Sequence, residues 1–155
     1  MGRYDLKDRE KVLNNLYALI LLNTEVSQIY KEAAGFVRDS KLKAFFVDRS
    51  RKRNDFAEVL IILLLKFQIE PVKHSQARGR VHDEWNYFKL HDAQKSKSTF
   101  LRGIYKVKRF SLTKYNELLR ENKLPLPLCK TLIRHRDNIQ NAMNKVKRQE
   151  QLENQ

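Results

Sequence analysis

The ionisable residues with most chemical potential border or interrupt helical faces that are otherwise apolar. Glu25 borders an arc made of Ala18, Leu21, Ile29 and Phe36, and His135 shares a seam with Leu128, Leu132, Ile139, Ala142 and Val146. Carboxylates and imidazoles are the ligands from which helical bundles build metal centres, often as Glu-x-x-His pairs that project inward together. The chain contains no Glu-x-x-His or Asp-x-x-His, and neither pattern in reverse. Each ion of a di-metal centre needs enough oxygen and nitrogen donors to replace its water shell, so Glu25 and His135 are residual candidates that cannot complete a site. The expectation is no catalytic residue, no metal and no cofactor.

The remaining candidates for chemistry are weaker. His82 and Glu84 are two residues apart and face different directions on a helix, while His74 and His91 fall near expected loops or helix ends. No glycine-rich phosphate loop, zinc-type Cys and His spacing, or Ser, His and Asp set is present. The lone Cys129 excludes an intramolecular disulfide, fits a reducing compartment and reads as a small helix residue. A non-enzymatic protein is expected.

Cations stand where ligands would. Arg49 and Arg53 fall on a seam with Leu42, Phe46, Phe56, Leu60, Leu63 and Phe67, and Lys108 lies inside the arc of Phe100, Ile104, Val107, Tyr115 and Leu118. An unpaired buried carboxylate is costly, so Glu25, Lys108, Arg49 and Arg53 are candidates for a buried ion pair in which a basic head neutralises Glu25. The ordinary alternative is that these long side chains lie near helix ends or carry their charged heads out to water.

A second group of cations lies outside the apolar arcs. Arg102, Lys106 and Arg109 recur at helical spacing opposite the core face, in a stretch from Ala93 to Asn116 that has no acidic residue. Lys145, Lys147 and Arg148 add charge near the end of the last helix. With Lys and Arg outnumbering Asp and Glu by 32 to 18, the formal charge is +14. Such a field suits nucleic acid or an anionic surface, with salt-dependent and sequence-tolerant binding. A solvated face that keeps the protein soluble is the plain alternative. No helix-turn-helix pair and no obvious exposed aromatic stacking platform accompanies the charge.

The elements that must position these residues are helices. Only four Gly and three Pro occur in 155 residues, no alternating strand pattern stands out, and 41% hydrophobic content fills one core. One domain over residues 1–148 is expected, with a frayed tail at 149–155. The first helix runs from about Asp8 to Val37, with Val12, Leu16, Leu19, Asn23, Val26, Tyr30, Ala33 and Val37 on one seam. Asp39 or Ser40 caps the second, which Pro71 ends. A polar loop follows, then a short amphipathic helix through Val81, Trp85 and Phe88. Ser98 caps a third long helix that stops before Leu124-Pro125, and Pro127 opens the fourth.

Val59 to Leu65 is apolar all round, so it must be covered on more than one side, by the crossover or by a second copy in a homodimer. It is far shorter than the roughly 20 residues that span a bilayer. The first residues lack a secretion signal, and Leu6 spoils a myristoylation pattern. A cytoplasmic location follows as the expectation.

The order of elements, with Tyr30-Lys31-Glu32-Ala33-Ala34, Asp39-Ser40-Lys41-Leu42-Lys43-Ala44, Gly79-Arg80-Val81-His82-Asp83-Glu84-Trp85 and Tyr115-Asn116-Glu117-Leu118-Leu119, resembles a family of uncharacterised bacterial ferritin-like proteins. The Gly79 to Trp85 stretch is the most specific part. The resemblance covers nearly the whole chain and implies an all-α, ferritin-like four-helix bundle with a long crossover, containing a short helix, between helices 2 and 3. It also implies a central carboxylate and histidine metal site, whose positions are largely replaced here. Glu25 keeps the acidic place in the first helix, but Val59, Tyr105 and Lys108 stand where the family tends to have Glu. Met143 takes the place of a His, and His135 that of a Gln. Asp55 and Glu58 are the other carboxylates near the second position. The resulting expectation is a binding or structural bundle of unknown partner without a working di-metal site, with polyanion binding and then metal binding as alternatives.

Overall fold

The computed structural model describes residues 6–66, 97–121 and 124–153, which form four helices with no strand among them. These are α1 (Leu6–Phe36), α2 (Ser40–Lys66), α3 (Lys97–Leu119) and α4 (Leu126–Glu153). The all-α expectation is met. None of these helices is long and apolar enough to cross a membrane. Phe67, Pro71, the expected crossover helix and the Gly79 to Trp85 stretch lie outside the described residues.

Contacts divide the chain into two compact units, Met1–His82 and Asp83–Gln155. In the first, α1 and α2 pack together as a hairpin. Contacts between them show that they run antiparallel, because partner numbers fall as residue numbers rise: Asn23 meets Arg53, Ser27 meets Ser50 and Tyr30 meets Phe46. The seam expected on α1 is buried from Val12 to Ala33, and that on α2 from Leu42 to Leu63. Fully burying each large aliphatic or aromatic side chain contributes about 1.5–3 kcal/mol, and this term rather than helix propensity holds the pair.

The sharp reversal between α1 and α2 has a local cause. The Asp39 carboxylate accepts hydrogen bonds from the backbone N–H groups of Lys41 (2.9 Å) and Leu42 (3.3 Å), which would otherwise be orphaned in the first turn. Asp39, not Ser40, is therefore the cap. The exposed half of the Val59 to Leu65 run is also defined: Leu60, Leu63 and Leu64 are buried, whereas Val59, Ile61, Ile62 and Leu65 are exposed.

In the second unit, α3 and α4 form the other hairpin. Lys108 meets Ala142, Tyr115 meets His135 and Asn116 meets Arg136, the same falling order that marks an antiparallel pair. Phe100, Leu101, Ile104, Val107, Tyr115 and Leu118 face the interior from α3. Leu128, Leu132, Ile139 and Ala142 do so from α4. Pro127 stands in the first turn of α4, where its missing N–H costs nothing. Helical geometry continues to Glu153, beyond the Arg148 boundary drawn from composition, since Lys, Arg, Gln and Glu all favour helix.

Gly35 lies in the last turn of α1 with an ordinary helical backbone, and a Cβ added there would meet nothing within 4 Å. Gly35→Ala is expected to stabilise the protein by about 0.5–1 kcal/mol by reducing the freedom of the unfolded chain. Urea unfolding monitored by circular dichroism checks this, and a lower midpoint would contradict it.

Candidate functional site

Each hairpin buries its own set of polar side chains. In the α1–α2 hairpin, Arg53 has no solvent exposure and its Nε donates to Asn23 Oδ1 at 2.7 Å. Asn23 in turn donates from Nδ2 to the Leu19 carbonyl one turn earlier, at 3.0 Å. The amide is thus held by its own helix and presents its oxygen to the guanidinium. A charge-assisted bond of this kind is about twice as strong as a neutral one.

Tyr30 and Arg49 extend this constellation along the hairpin. The Tyr30 ring stacks on Phe46 with centroids 6.0 Å apart, and its buried hydroxyl has no hydrogen-bond partner among the described residues. Burial pushes the phenol above its usual pKa, with the positive charges of Arg53 and Arg49 opposing the shift. Burial likewise pulls Arg49 below its usual value, opposed by Tyr30 and Asp48. Ser27 and Ser50 cross-link the same helices reciprocally, each hydroxyl donating to the other residue's carbonyl at 2.7 Å. Glu25 is also buried on α1.

The α3–α4 hairpin has its own version. Lys108 is 1% exposed, and its ammonium donates to the Ala142 carbonyl of α4 at 2.9 Å. His135 is buried with its Nδ1 3.2 Å from the Tyr115 hydroxyl, the two rings meeting edge to face. A carbonyl already engaged in a helix keeps a second lone pair, which is what Lys108 uses.

Arg49, Arg53 and Lys108 are therefore interior residues, and the snorkelling alternative fails for all three. Each starts in the middle third of its helix, too far from either end for its head to emerge there. The sequence pattern placed Asn23, Arg53, Tyr115 and His135 on seams but did not pair them. Antiparallel register was the missing information, and the short α1–α2 connection could have supplied it.

These interiors do not suit a divalent cation. Tyr105 and Lys108 are both buried on α3, so an ammonium stands where the resemblance implies a carboxylate. Asp55, Glu58 and Val59 are exposed on α2, which removes the nearest substitutes from the interior. Among the described residues, no group of three or more His, Cys, Asp or Glu is arranged to hold a metal.

The cationic stripe is on the surface. Arg102, Lys106 and Arg109 are exposed on α3, and Arg148 is exposed on α4; the side chains of Lys145 and Lys147 lie outside those described. Two other surface cations pair with a carboxylate on their own helix, Lys114 with Glu117 and Arg136 with Asp137. On α3 no carboxylate precedes Glu117.

Tyr30 yields a signed pH dependence. Its phenol is neutral in folded and unfolded chains below pH 10, so it adds no pH dependence there. As pH rises past the unfolded value near 10, the unfolded chain ionises first and folding weakens until the raised folded pKa is passed. Tyr30→Phe should leave stability equal or raise it by up to about 1 kcal/mol at pH 8, because the hydroxyl it removes is buried and unsatisfied. Its advantage should widen above pH 10. Denaturant unfolding of both proteins across this range tests the claim, and a loss of more than about 1 kcal/mol at pH 8 would contradict it.

No curated protein and no solved structure matches the chain. Residues 11–121, most of the chain and nearly all of α1 through α3, match a family described as a domain of unknown function, DUF2383. The chain belongs to the DUF2383 family.

Proposed function

We propose that the two hairpins associate as a ferritin-like four-helix bundle in which interior cations replace metal ligands, and that the protein is a non-enzymatic binding or structural protein of the cytoplasm. The observation that carries this reading is the burial of Lys108 with its ammonium on the Ala142 carbonyl. A buried ammonium repels a divalent ion and has no lone pair to offer it while charged. Within the first hairpin, Arg49 or Arg53 neutralises Glu25, which supports the core without a metal.

Metal analysis tests this reading. After incubation with ferrous iron or manganese and desalting, the protein is expected to retain neither in stoichiometric amount and to show no ferroxidase activity. Stoichiometric metal bound through Glu25 and His135 would overturn it.

The exposed stripe favours a second reading, in which the bundle binds a polyanion. Arg102, Lys106 and Arg109 share one solvent-facing side of a helix that has no carboxylate of its own before Glu117, and Arg148 adds an exposed charge on α4. Lys145 and Lys147 belong to the same candidate set. Contacts to phosphate give binding that weakens steeply with salt. Polarisation titrations with labelled DNA and RNA, and co-sedimentation with anionic vesicles, should show binding at low salt. Replacing Arg102, Lys106 and Arg109 with Gln should lower the slope of log K against log salt by about 2–3 on duplex DNA. No binding at low salt would remove this reading.

A further inference from the structure

The outward side of α2 is patterned as a seam for which its own hairpin has no use. Leu42, Phe46, Arg49, Arg53, Phe56, Leu60 and Leu63 are buried on the side of α2 that carries its contacts to Asn23 and Tyr30 of α1. On the other side, Val47, Arg51, Asn54, Glu58, Ile61 and Leu65 are all exposed. Their spacing alternates between four and three residues, averaging the 3.5-residue repeat of a helix-pairing seam. Val47 and Leu65 of this stripe and Ile62 at its edge are 54%, 60% and 62% exposed, which is high for large aliphatic side chains on one face.

The order of side chains along this stripe identifies what it fits. Reversing α2 about the midpoint between Asn54 and Asp55 places Val47 on Ile62 and Arg51 on Glu58. The same operation sets Asn54 against Asp55, an amide donor against a carboxylate. At the outer edge, Leu65 lands on Ala44, whose small side chain leaves room for it. Apart from Ile61, which falls beside Asp48, the stripe is its own complement: apolar at both ends and of opposite charge on either side of the centre.

A single helix cannot satisfy this pattern. Arg51 and Glu58 are seven residues apart, about 10 Å along the axis, so they do not reach each other within one chain. Arg51 instead rests on Asp48 at 3.0 Å, an exposed pair of small value, and Asn54 leans on Glu58 at 3.4 Å. A parallel copy would oppose Arg51 to Arg51 and Glu58 to Glu58. Only an antiparallel copy brings unlike charges together while closing the two apolar ends.

We infer that the exposed face of α2 is the isologous interface of a homodimer, in which two copies of α2 pack antiparallel about a two-fold axis between Asn54 and Asp55. Such an interface buries Val47, Ile62 and Leu65 of both subunits and is closed by its own symmetry. The central charges set register and direction, and the apolar ends supply most of the attraction. The net charge of +14 per chain opposes association, so the dimer forms best at salt near 0.15 M, where charges beyond about 8 Å are screened.

Sedimentation equilibrium of the full chain over low to high micromolar concentration at this salt tests the inference. The expected result is a monomer–dimer equilibrium. Arg51→Glu and Glu58→Arg should each weaken it at least about tenfold, because each places like charges together twice across the axis. The double variant Arg51→Glu/Glu58→Arg, which exchanges the charges and restores their complementarity, should return the dissociation constant to within about threefold of the original. Ile62→Glu should abolish the dimer. All three positions are exposed in the monomer, so folding survives the changes. A monomer at every concentration overturns the inference, as covering of the stripe by residues 67–96 would produce. So does a dimer indifferent to the two single charge reversals, or one that the double reversal fails to restore.

Discussion

A guanidinium shut away from water constrains the α1–α2 hairpin more than any other contact. Arg53 has no solvent exposure, and burying a charge of that size costs several kcal/mol unless its N–H groups are satisfied. Its bond to Asn23 depends on a particular register: a shift of α1 by one residue turns the amide by about 100° around the helix, out of the interface. The apolar residues around it are less demanding, because neighbouring Leu and Val positions can exchange contacts at small cost. The Asn23–Arg53 pair therefore selects one alignment among several that hydrophobic burial alone would permit. The reciprocal Ser27–Ser50 bonds, close by in the same interface, reinforce the same alignment.

The second hairpin meets the same constraint by different chemistry. Lys108 is unbranched and carries a compact ammonium, which reaches across to a backbone carbonyl as a point charge. His135 and Tyr115 make a hydrogen bond two helical turns away. Both hairpins thus place a cation at one level and a neutral aromatic or hydroxyl group at another. A buried polar group fixes packing only when its partners are supplied locally, and helix carbonyls and neighbouring side chains do so for Asn23, the Arg53 Nε, Lys108 and His135.

Much of the helical architecture is legible from periodicity. Among the described residues, the seams of all four helices, including the polar interruptions at Asn23, Arg49, Arg53, Lys108 and His135, correspond to buried positions, except Val37, which is half-buried beyond the end of α1. A helical wheel reports direction around the axis but not depth, which is why snorkelling competed with burial for Arg49, Arg53 and Lys108. Position along the helix resolves it. Lys108 begins eleven residues from the start of α3 and as many from its end, about 16 Å either way, while a lysine side chain extends roughly 6 Å. Pairing was not legible, because it needs the register between two helices, and no single helix encodes that. The choice of Asp39 over Ser40 as the cap was likewise hidden, since both residue types cap well and only the turn geometry separates them.

The surfaces of α2 and α3 differ in a way that bears on recognition. Along α2, Asp48, Asp55 and Glu58 alternate with Arg51 and Lys52, so a shift of any partner by one turn would convert attraction into repulsion. Mixed charge of that kind specifies position. Along α3, Arg102, Lys106 and Arg109 precede the first carboxylate at Glu117, and a uniform field of this sort attracts anionic material without fixing where it lies. Interior cations contribute little to either surface, because Arg49, Arg53 and Lys108 are buried. Of the +14 total, the part a partner meets is therefore set by exposed residues whose arrangement differs from helix to helix. Surface pattern, rather than net charge, separates a face suited to a copy of itself from one suited to a disordered or extended anion.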